Sequence, residues 1–317
     1  MRAFAWFLGT LVAAALAAAA LAYPVFEITS RLASWPFHRV AARLAMLAAA
    51  GGLYWLCRRL GIATKDALGY GLPRRRFLAV CAVWGGLGIA SGALGAGFLL
   101  AAHLRVPNQS AVSIATALHL LLVALSSGIA VALIEETVMR GAMHTAIARE
   151  SGELAAVLLI APLFAVLHFF ARVHIPADEV DWSSGFDLLA RSFAPLGTPA
   201  LVLDAFLAWL AVGLLLGFAR VLTGNIAVSI GLHAGWVVVL RVLMDATSPA
   251  RGGAFSGWVG TFDGLLGYWI LPWSAAIALA LWLARSVWLP YASGAGVASG
   301  ASAASRSSRS SGSSISR

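Results

Sequence analysis

The feature that most constrains this chain is the repetition of apolar runs about as long as a bilayer is thick. A helix that crosses the hydrocarbon core needs roughly 20 such residues. Eight runs meet that length or come near it: 3–22, 41–57, 77–101, 111–134, 154–172, 199–221, 226–243 and 265–285. The fourth is expected to continue beyond 134. Hydrophobic residues make up 61% of the 317, and charged residues only 11%, against about 25% in an ordinary soluble domain. The expected fold is therefore all-α: a polytopic membrane protein with about eight transmembrane helices in one bundle. The first run has a second reading as a cleaved signal peptide, with Arg2 before an apolar core and a small-residue "ALA" at 20–22; its length favours an uncleaved helix.

Three regions are expected: helices 1–3 over 1–110, a functional set of helices 4–8 over 111–290, and a disordered Gly/Ser/Arg tail over 291–317. Within 174–197, "WSSGFDLLARSF" reads as a short interfacial helix. Gly88 and Gly92 form a GxxxG that suits close helix packing.

The formal charge of +9 would suggest nucleic acid in a soluble protein. Here the cations fall in short loops and the tail, with no basic groove carrying interleaved aromatics, so no nucleic-acid partner is expected. Arg58, Arg59, Lys65 and Arg74–Arg76 mark a cytoplasmic loop, and alternation of spans then puts both termini on that side. The expected location is a bacterial inner (plasma) membrane, because the Ala/Arg/Gly-rich usage resembles that of a high-GC bacterium. Cys57 and Cys81 have no metal-site or disulfide spacing and read as packing residues.

Ionisable residues inside spans are rare and mark function by default. Three places qualify: "EETVMR" with Glu135, Glu136 and Arg140, then His168, then His233. With a hairpin turn at Ser151–Gly152, Glu135 and His168 each lie about 16 residues from it, roughly 24 Å at 1.5 Å per residue. His233 lies about 12 Å beyond the break at Thr223–Gly224–Asn225. The depths agree if the fourth and fifth helices protrude about two turns. Glu136 and Arg140 stand at i,i+4, the favourable order for an ion pair, which leaves Glu135 as the free carboxylate and candidate general base. The histidines could share its water, donate to an oxyanion or bind a metal. The bland reading of the cluster is a structural ion pair at a helix end. His103, His119, His144 and His174 have no comparable partner, although His144, four residues after Arg140, could line the mouth of the site. Asp204 could face a cavity.

Adjacent glutamates with an arginine five after the first, then Phe164-x-x-x-His168, then a third motif at His233, resemble the CPBP family of CAAX-type and bacteriocin-processing membrane proteases. The resemblance covers roughly 111–245. It implies an embedded endopeptidase in which Glu135 activates water, Glu136 and Arg140 complete the first motif, and His168 and His233 bind or polarise water and substrate. Four residues after its third-motif His the family usually has Asn or Asp; here Val237 stands there, so an oxyanion donor is missing or supplied elsewhere. No cofactor is certain. A divalent metal such as zinc on Glu135, His168 and His233 and a metal-free water are both open. The expected partners are the lipid bilayer and a membrane-associated peptide or protein substrate. A non-catalytic scaffold or immunity protein is the alternative. A small-solute transporter ranks last, because no repeat or broken-helix pair is apparent.

Overall fold

In the computed structural model, 1–108, 113–170, 173–250, 256–260, 262 and 264–292 are described; the 291–317 tail lies almost wholly outside them. The fold is a helical bundle. Its helices are α1 (Arg2–Ser30), α2 (Phe37–Arg59), α3 (Arg74–Ala101), α4 (Ile114–Glu136), α5 (His144–Ser151), α6 (Glu153–Leu167), α7 (Ser184–Ser192), α8 (Pro199–Thr223), α9 (Ala227–Ala246), α10 (Ile270–Leu283) and α11 (Arg285–Ala292). The only strands among the described residues, β1 (Arg105–Pro107) and β2 (Thr247–Pro249), pair antiparallel across one end.

Six helical runs are long and apolar enough to cross a membrane, and a seventh is added if α10 and α11, bent by 81° at their junction, count as one span. Each of the eight expected runs thus has a helix. The fifth differs: α6 stops at Leu167, with His168 as its C-cap, instead of running to 172. Its 15 residues rise about 22 Å, short of a hydrocarbon core of about 30 Å.

The fourth run does continue. Helical backbone extends from Ile114 to Ser151 over 38 residues, about 57 Å at 1.5 Å each. Such a length must project well past the core, as the depth argument required. Thr137–Met143 within it is π-helical. Gly152, at φ 87°, then makes the turn into α6, a backbone state that glycine adopts without a Cβ penalty. Gly224, at φ 68°, ends α8 in the left-handed conformation, the common helix stop. Both breaks fall where the sequence places them.

Glycines set how closely α9 is held. A Cβ on Gly88 would lie 2.6 Å from the Leu232 carbonyl oxygen, and one on Gly235 would lie 2.5 Å from that of Gly85. From the other side, a Cβ on Gly128 of α4 would meet the Ala234 carbonyl at 2.8 Å. Such backbone contact is what small residues permit between membrane helices. It fixes α9 between α3 and α4 at the level of His233. The expected interfacial segment forms α7, which packs on α1 with Gly185 against Ala19.

Candidate active site

Glu135 and Glu136 occupy the last turn of α4, where the ladder passes into the π-helical turn. Such turns occur often at functional sites. Glu136 is fully buried, and Arg140 is 1% exposed. Arg140 Nη1 donates to Glu136 Oε1 at 3.0 Å. Its Nη2 donates to the Gly213 carbonyl at 3.0 Å, and its guanidinium lies over the Phe164 ring, 4.5 Å from the centroid. Arg220 Nε holds the Arg140 carbonyl at 2.9 Å. The ion pair is therefore tied to α6 and α8 as well as to its own helix.

His233 Nδ1 meets the same Glu136 Oε1 at 2.9 Å. The Glu136 oxygen that accepts from Arg140 also serves as acceptor here, so Nδ1 is the donor and Nε2 is the nitrogen left for another partner. That Nε2 lies 3.9 Å from Glu135 Oε2. The Glu135 side chain is 33% exposed, whereas that of Glu136 is sealed.

His168 is joined to this group through aromatic rings. Its Nδ1 donates to the Phe164 carbonyl at 2.7 Å, and its ring stacks on Trp209 with centroids 3.7 Å apart and planes at 23°. Phe164 touches both histidines, at centroid distances of 4.5 Å to His168 and 6.1 Å to His233. Among the described residues His168 makes no ion pair with either glutamate. Both imidazoles spend Nδ1–H on a fixed acceptor. When neutral, each can accept from a water or substrate N–H through Nε2, and each donates to an oxyanion only when protonated.

The proposed metal ligands Glu135, His168 and His233 do not converge. Among the described residues no group of three or more His, Cys, Asp or Glu side chains is arranged to hold a metal ion. A catalytic zinc ordinarily takes three protein ligands, so the residues present do not fit one.

Val237 lines a small apolar chamber of about 80 Å³ with His233 and Trp209. Neither sequence neighbour supplies the missing donor there. Trp236 Nε1 donates to Ser91 on α3 at 3.0 Å. Asn225 is buried in the α8–α9 turn, bonding Thr223, Ala227 and Ala292. His144 is buried, with Nε2 3.2 Å from Glu153 across the α5–α6 turn. Asp204 is buried, and its Oδ1 accepts from the Ala205 amide at 2.7 Å. Trp209, Gly213 and Arg220 are site-supporting residues that sequence reasoning did not single out. A mid-span Trp, away from the interfacial belts where this residue concentrates, was the available signal for Trp209.

Fold and site thus define a polytopic helical membrane protein whose interior carries a sealed Glu–Arg pair, a histidine locked to it and a second, accessible carboxylate. Residues 117–239, which contain Glu135, Glu136, Arg140, His168 and His233, match the model of a family described as type II CAAX prenyl endopeptidase Rce1-like. This is the family type to which the motifs point, and it supports a CAAX-type membrane protease in general terms. No curated protein and no solved structure matches the chain.

Proposed function

We propose that the protein is an intramembrane endopeptidase that hydrolyses a membrane-associated peptide or protein with a glutamate-activated water. The observation that carries this reading is the division of labour between the two glutamates. Glu136 is committed to Arg140 and His233, whereas Glu135 keeps a buried oxygen, Oε2, without a hydrogen-bond partner, 3.9 Å from His233 Nε2. That separation is too long for a hydrogen bond, and a water admitted between the two atoms during the reaction would bridge them at about 2.8 Å each. Glu135 takes the proton of that water as the oxygen attacks the scissile carbonyl, then returns it to the leaving amine. His233, aligned by Glu136, orients the water through its Nε2 lone pair. His168, held flat by Trp209, positions substrate. Bonds balance without a further reactant: water adds across the peptide bond, and acid and amine leave. Arg140 keeps Glu136 ionised and thereby fixes the His233 tautomer.

The Ala/Arg/Gly-rich composition supports a bacterial plasma membrane, and the distribution of Lys and Arg supports cytoplasmic termini on both ends provided that the short α6 counts as a crossing. Cells carrying the wild type and cells carrying Glu135→Gln at equal expression test the function. Membrane-peptide N-termini found only with the wild type support proteolysis and identify the substrate; identical profiles refute it.

One observation favours a second reading. Val237 leaves the chamber beside His233 without the donor usual in this family, as a peptide-binding scaffold would tolerate. In that case the phenotype survives Glu135→Gln.

A further inference from the structure

A second cavity lies on the α3 side of α9, and none of the five motif residues lines it. It is a groove of about 820 Å³ between α3, α10 and α11, within the 300–1,000 Å³ typical of small-molecule sites. Its walls are almost wholly apolar, with Val83 and Leu87 on α3 facing Ile277 on α10, and Trp84 and Trp288 meeting edge to face at 5.1 Å. The 81° bend between α10 and α11 closes one end. Arg76 fastens that closure by donating to the carbonyls of Pro290 and Tyr291.

Three facts bear on the occupant. On α3 the lining positions Arg76, Val80, Val83, Leu87 and Ser91 form one stripe that rises about 22 Å, compared with about 15 Å for one leaflet of a 30 Å core. Arg75, one turn before the lining residue Ala79, stands next to the lining residue Arg76, and both Arg74 and Arg75 are exposed. The groove is thus apolar along its length and cationic at one end. A second copy of this chain would bring another set of arginines to that end, and residues 293–317, mostly Ser, Ala, Gly and Arg, have little apolar surface to fill the groove.

We propose that this groove is a binding site for an anionic glycerophospholipid, with its phosphate at the arginine end, beside Arg75 and Arg76, and an acyl chain lying along α3 against the Trp84–Trp288 pair. Guanidinium groups pair well with phosphate, and basic pockets between membrane helices select anionic headgroups. The proposal does not depend on the protease assignment.

The test uses the purified full chain in detergent, titrated with dioleoyl-phosphatidylglycerol or dioleoyl-phosphatidylcholine and followed by thermal unfolding. Half-saturation should come at a concentration at least about fivefold lower for phosphatidylglycerol. That preference should disappear in the double variant Arg75→Gln/Arg76→Gln, and Leu87→Trp, which fills the groove, should remove saturable stabilisation by either lipid. Equal responses to both lipids in the wild type would overturn the proposal without recourse to any variant. A preference that persists in the arginine double variant would overturn it as well, as would undiminished stabilisation of a folded Leu87→Trp protein.

Discussion

His233 and Glu136 share a 2.9 Å hydrogen bond in a fully buried setting, on the same carboxylate oxygen that Arg140 engages at 3.0 Å. This single oxygen links α4, α9 and the π-helical turn. Because both of its donors are fixed, the imidazole has one orientation, and its remaining nitrogen points to Glu135. The functional proposal grows from that relationship.

Breaking the buried pair should be costly. Arg140→Met leaves Glu136 ionised without its partner, and removal of one member of a buried ion pair typically costs about 3–5 kcal/mol. Thermal unfolding in detergent should register a loss of that order. Arg140→Met combined with Glu136→Leu should recover much of it, since apolar replacement of a whole buried pair is often neutral.

Trp209 is expected to act by holding His168. Trp209→Ala removes a ring stacked at 3.7 Å. Aromatic pairs contribute about 0.5–1.5 kcal/mol beyond buried area, so the turnover rate should fall roughly two- to tenfold. Trp209→Phe should recover much of the lost rate. Equal loss in both variants, with lowered unfolding temperature, would reduce Trp209 to a packing residue.

Val237→Asn restores an amide four residues after His233, within the same chamber. One oxyanion donor is worth about 10²–10³ in rate. A rise in peptide cleavage toward that size is expected if transition-state charge collects there. An unchanged rate would mean that another group stabilises the oxyanion.

Asp181 gives a pH prediction outside the spans. Hydrogen bonds from the Ser183 hydroxyl and amide and from Ser184 hold its carboxyl below the usual carboxylate range, capping the Ser183 and Ser184 amides at the entry to α7, whose N-cap residue is Ser183. A depressed folded pKa means that this capping is fully present above the ordinary Asp value of about 3.9 and is lost as pH falls through the lower folded value. Hydrogen exchange of the Ser183 and Ser184 amides should therefore stay protected at pH 5, with protection lost in Asp181→Ala.

The chain's sequence made some of this legible and hid the rest for physical reasons. Span length, the turns at Gly152 and Gly224, and the Glu136–Arg140 pair follow from local rules: apolar run length, left-handed glycine and i,i+4 spacing. The π-helical turn has no comparable periodic signature. Trp209 and His168 meet through packing of α6 on α8, which neither segment announces alone. Of the two open readings, a metal on Glu135, His168 and His233 or a metal-free water, residue spacing favours neither, since it does not give side-chain orientation. The fifth run was read too long, because composition does not mark the end of α6 at His168.

The central claim is that Glu135 performs chemistry while Glu136 holds structure. The most direct test measures cleavage of a peptide identified by the N-terminal comparison, together with unfolding temperature, for Glu135→Gln and Glu136→Gln in parallel. Glu135→Gln should lose about 10²–10⁴ in rate, the usual contribution of a general base, with its unfolding temperature unchanged. Glu136→Gln should lose stability, since it strands Arg140 in the interior. A Glu135→Gln protein that cleaves at the wild-type rate would contradict the claim.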